Sequence, residues 1–131
     1  MKSMKITFVE TIPIRLPTRR VHQWASLTTP IGVYVIVKLH TDDGLIGLGE
    51  APVLKDWGGD YGRYFGETPQ STIHIINDIL TPALKGQDPR RFEAVHRLTD
   101  QAVNGNPYCK AANQPAFISL SRSICNSVTY K

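Results

Sequence analysis

The sequence predicts an α+β domain: a three-stranded antiparallel meander followed by a small antiparallel helical bundle. Three observations carry that expectation. Apolar residues alternate with period two in the first half of the chain, turn residues separate the second apolar run from the third, and helical periodicity takes over after Gly66. Strands first and helices afterwards exclude the alternating β-α order of a nucleotide-binding sheet, and the glycines of "GLIGLGE" do not form GxGxxG.

The first strand is read from "KITFVETIPIRL", Lys5 to Leu16. There Ile6, Phe8, Ile12, Ile14 and Leu16 share one face and Glu10 is the single break. In "GVYVIVKLH", Val33, Val35, Val37 and Leu39 line one face, and the β-branched content suits a pleated surface. "TDDG" supplies a turn with Gly44 available for positive φ, so "LIGLGEA" returns as the third strand of a hairpin. Beyond Gly66, Thr68 is placed to cap a helix with Pro69 at its first position and Ile73, Ile76, Ile79 and Leu80 on the buried stripe. Pro82 is expected to bend or end it. The next helix is expected to use Asp88 as cap and Pro89 at its first position, burying Phe92, Val95, Leu98 and Ala102.

With 131 residues the chain is the size of one domain. Hydrophobic residues make up 41% and charged residues 20%, and no apolar run approaches the ~20 residues of a membrane span. The start lacks the apolar block of a secretion signal, so a cytoplasmic location is expected. Cys109 and Cys125 fit neither a disulfide scaffold nor zinc spacing. The net charge of +4 is not concentrated: residues 1–66 hold eight Lys/Arg against six Asp/Glu, and residues 67–131 seven against five. Without a basic stripe, nucleic acid is not expected as a partner.

Two irregular stretches exceed ordinary connections, Pro17 to Pro30 and Ala51 to Gly66. Disordered segments are poor in aromatics, yet these hold both tryptophans of the chain, Trp24 and Trp57, with Tyr61, Tyr64 and Phe65. They are read as binding loops leaving one edge of the sheet. Arg19 and His22 in the first and Asp60 in the second add polar groups suited to a carboxylate ligand. No catalytic pairing, GxSxG or HExxH is present, so no catalytic residue and no metal ligand is assigned.

The order of these pieces, ending in "NPYCKAA" and with "TDDGLIGLGEA" and "PALKGQDP" as the most specific wording, resembles the N-terminal capping domain of the enolase superfamily, in its mandelate racemase and muconate lactonizing branch. The resemblance covers residues 4 to 112. It implies a lid over a (β/α) barrel in which Mg²⁺ and a Lys or His base abstract a proton α to a carboxylate, as in racemases, dehydratases and cycloisomerases. By position Arg19, His22, Trp24, Trp57, Asp60 and Tyr61 become the substrate-contacting residues, and a small carboxylic acid the substrate. Because the ligands and base of the family lie in the barrel, the chain alone is expected to be inactive, to hold no cofactor of its own, and to self-associate through the face left for the barrel. Residues 1–112 are thus the capping domain. Residues 113–131, free of Asp and Glu and interrupted by Pro115, depart from the family wording and are expected to form an atypical tail with its helix broken at that proline. A stand-alone ligand- or protein-binding module using the aromatic loops is the alternative.

Overall fold

The computed structural model describes residues 3–17, 19, 32–53 and 66–129, with side chains as far as Leu120. Strands β1 (Ile6–Arg15), β2 (Val33–Thr41) and β3 (Ile46–Pro52) form one antiparallel sheet in the order β1-β2-β3. The meander is the one expected. The Asp42–Gly44 turn closes the β2–β3 hairpin as its composition demands: Gly44 takes φ +87° and its N–H donates to Thr41 O.

In β1 the strict alternation fails early. A register irregularity between Ile6 and Phe8 inserts one residue, so Ile6 and Val9 are both buried while Phe8 turns outward. Leu16, read as inward, is exposed as well. A one-residue bulge moves every later side chain to the other face, and alternation alone does not reveal it. From Val9 onward the inner face holds Val9 opposite Leu39 and Thr11 opposite Val37.

Helix α1 (Pro69–His74) starts at the expected Thr68 cap, whose side chain accepts the Ser71 N–H while Ser71 Oγ accepts the Thr68 N–H. It passes without interruption into a π-helical turn, Ile75–Leu80, and then α2 (Thr81–Leu84). The wide turn lies directly before Pro82, which has no N–H and whose ring crowds the preceding turn of an ordinary α-helix. Thr81 N–H reaches back to Ile76 O instead. The buried stripe consequently runs Ile76, Leu80 and Leu84, and Ile79, expected inside, is exposed.

Helix α3 (Phe92–Ala102) begins after Arg91, later than expected. Asp88 does not cap it. Its carboxylate accepts the Arg90 N–H and two guanidinium nitrogens of Arg90, so the capping oxygens close the preceding turn. Helix α4 (Pro107–Thr129) runs through Pro115, and the expected break does not occur. Pro115 and Ala111, whose carbonyl loses its helical donor, both lie on the exposed side. The opposite side holds Cys109, Ala112, Asn113, Ala116, Phe117 and Leu120, all buried. Packing of that face outweighs a local cost of about 3 kcal/mol. Residues 113–120 continue the helix begun at Pro107, and Ala116, Phe117 and Leu120 belong to the same core as the sheet.

Helix α4 lies directly on β3, at a separation only glycine allows. A Cβ on Gly47 would meet Ala116 O and stand 2.7 Å from Leu120 Cγ, and one on Gly49 would meet Ala112 O. Ser119 Oγ accepts the Leu48 N–H at 2.7 Å, so the helix also covers the outer edge of β3. The glycines of "GLIGLGE" thus serve backbone approach, not phosphate binding.

Candidate functional site: the loop-bearing end of the sheet

Arg15 is paired with Val33, and Tyr34 with Pro52, so the end of β1, the start of β2 and the end of β3 lie side by side. Both long connections leave from this one end, as expected. Their stems are fastened by backbone hydrogen bonds: Leu16 N–H to Gly32 O at 2.8 Å, and Val53 N–H to Val33 O at 3.2 Å. Val53 is buried, so the second connection starts from inside the core.

Its return is fastened by Glu67, only 4% exposed. The Glu67 carboxylate accepts the backbone N–H groups of Tyr108 at 2.7 Å and Cys109 at 3.2 Å, and the Thr72 hydroxyl at 3.1 Å. The two N–H groups are first-turn donors of α4 with no partner inside the helix, where the positive end of the helix dipole favours an anion. The buried charge is therefore matched by directed donors on two helices. Glu67 fixes both the end of the loop and the start of α4. Local sequence gives no sign of this role, because its principal partners stand more than forty residues away.

Of the residues expected to meet substrate, Arg19 is described and is exposed at the β1 stem. His22, Trp24, Trp57, Asp60 and Tyr61 lie outside the described residues. Among the described residues no three His, Cys, Asp or Glu side chains group to hold a metal ion. Nor is the one cysteine with a described side chain poised for chemistry. Burial pushes the Cys109 thiol up to about 12, and its Sγ donates to Asn106 O. No helix is long and apolar enough to cross a membrane among the described residues. What remains is a sheet end from which both long connections leave on hydrogen-bonded stems.

Residues 6–121 match the family model of the mandelate racemase / muconate lactonizing enzyme N-terminal domain. The chain belongs to this family. This N-terminal domain is 36% identical to N-succinyl-L-Arg/Lys racemase of Bacillus cereus, over 98% of the chain and 33% of that protein. It is 31% identical to muconate cycloisomerase 1 of Acinetobacter baylyi, over 90% of the chain and 31% of that protein. Among solved structures, muconate lactonizing enzyme from Pseudomonas fluorescens, complexed with muconolactone, superposes with a TM-score of 0.79 at 30% identity, covering 94% of the chain and 32% of that one. The L-Ala-D/L-Glu epimerase from Bacillus subtilis does so with 0.78 at 30% identity, covering 92% and 32%. The chain spans about a third of the length of the curated relatives it matches. The family match also runs nine residues beyond Ala112, into α4.

Proposed function

We propose that this N-terminal domain is the lid of an active site that acts on a small carboxylate. The observation that supports it best is the departure of both long connections from one end of the sheet, on stems pinned by Leu16, Val53 and Glu67. Racemases and cycloisomerases of this family share the domain, and the N-succinyl amino acids and muconate named in those relatives support a small carboxylate as substrate. In this reading Arg19 and His22 hold a carboxylate, Trp24 and Trp57 wall off water, and Asp60 and Tyr61 select the rest of the substrate. The proton-abstracting base and the ligands of Mg²⁺ belong to a part of the enzyme outside these 131 residues. The chain alone, a cytoplasmic protein in this reading, is inactive and associates with itself through uncovered apolar surface. The change of wording after Ala112 falls within the last helix of the lid.

The test is a chimera in which residues 1–121 replace the corresponding part of the Bacillus cereus racemase. The expected result is racemisation of a succinylated basic amino acid, reduced at least tenfold in kcat/KM by Trp57→Ala, with none from the chain by itself. Turnover by the isolated chain overturns the proposal. So does a folded, Mg²⁺-loaded chimera whose kcat/KM is indifferent to Trp24→Ala and Trp57→Ala.

A further inference from the structure

The helices cover one face of the sheet, and both edges are guarded. At the β1 edge the Ile6 N–H donates to Gln87 O and the Gly86 N–H to Ile6 O, while Pro13 has no N–H to offer. At the β3 edge stands α4 with Ser119. The outer face carries four rows of residues: Phe8–His40–Ile46, Glu10–Lys38–Leu48, Ile12–Ile36–Glu50 and Ile14–Tyr34–Pro52. Eight of these twelve side chains are apolar, and Phe8, Ile46 and Leu48 are 54%, 45% and 55% exposed. A solvated sheet face is ordinarily polar.

The charges on the face narrow what fits it. Glu10 is engaged by His40 at 3.1 Å and Lys38 at 3.6 Å, whereas Glu50 has no ion pair among the described residues. Two acids against one lysine leave too small a charge to select a strongly charged partner, and the mixed signs suit a copy of the same face. Consider a two-fold axis lying in the interface, perpendicular to the strands, between the second and third rows. It sets Phe8 over Ile14 of the second copy and Ile46 over Pro52, and it brings Glu50 beside the second copy's Lys38. A two-fold along the strands instead stacks Lys38 on Lys38 and His40 on His40. We infer that the outer face of the sheet binds a second copy of this chain through the first of these axes.

Sheets packed face to face keep their strands within about 30° of each other, and this arrangement meets that rule. Three strands over seven residues present roughly 330 Å² in plan. Stable interfaces bury about 800 Å² per partner, so the dimer is weak and forms only at high concentration. The inference goes beyond the lid reading and needs only the proposed self-association.

Sedimentation velocity of the whole chain across a concentration series tests it. The expected result is a reversible monomer–dimer equilibrium that Leu48→Lys weakens at least tenfold without change in circular dichroism. Glu50→Lys and Lys38→Glu should each weaken it, and mixing those two variants should restore it, because every cross-interface pair in the mixed dimer is then of opposite sign. A chain that stays monomeric, a dimer indifferent to these changes, or a mixture no tighter than its components overturns the inference. A chain that stays monomeric also removes the self-association proposed above, whereas a dimer indifferent to these changes removes only this face; the lid role is tested separately by the chimera.

Discussion

Cys109 shows how position, more than residue type, sets reactivity. Buried on the inner side of α4, its thiol is held from an ordinary value of 9.0 up to about 12, chiefly by desolvation and then by the Glu67 charge. In a Cys125→Ser background, a disulfide reagent at neutral pH is expected to label Cys109 only at the rate of unfolding, and prompt labelling of the native chain would refute its burial. The raised value favours the folded state below pH 9, and that contribution is lost as pH climbs from 9 towards 12. Glu67 is a second residue whose meaning is positional. Glu67→Gln keeps its shape but removes the charge facing the α4 donors and leaves an amide nitrogen among them. We expect a loss of about 1–3 kcal/mol in urea unfolding. An unchanged midpoint would show that the carboxylate does not hold α4.

At the scale of elements, β3 and α4 meet backbone to backbone at Gly47 and Gly49. Gly49→Ala places a methyl group against the Ala112 carbonyl, which cannot move without displacing the helix. Overpacking of this kind costs about 1–3 kcal/mol. Thermal unfolding should show the loss at Gly49, while Gly44→Asn, in an open turn at φ +87°, should cost less. Equal effects would argue against backbone contact. The strands, the hairpin turn and the Thr68 cap were legible because each depends on neighbours within a few residues. Harder to read were the bulge after Ile6, the π-helical turn before Pro82 and the passage of α4 through Pro115. Each is a local irregularity that long-range packing sustains, whereas Asp88 lost its capping role to a competing neighbour, Arg90, two residues on.

At the scale of the whole molecule, matched carboxylates among the described residues couple stability to acid. Hydrogen bonds from Arg90 hold Asp88 below its ordinary value of 3.8, and the Thr41 hydroxyl does the same for Asp43. Groups depressed in this way favour the folded state above pH 3.8, and the contribution disappears as pH falls through their lower folded values. Stability should therefore be level towards neutral pH and drop below about 4, with Asp88→Asn shrinking that drop. A pH profile unchanged in Asp88→Asn would show that the Arg90 pair does not contribute. The candidate site was legible in part. Aromatic-rich connections of unusual length pointed to the loop-bearing end of the sheet, but Glu67, which anchors one of them, carries no local signature. By itself the sequence determined the order of elements, the meander and its family, because periodicity, turn chemistry and motif wording are written in adjacent residues. Only the tertiary structure decided which face of β1 points inward, that α4 continues through a proline, and that two glycines and one buried glutamate bring sheet, loop and helix together. Those outcomes depend on packing and hydrogen bonds between residues far apart in the chain.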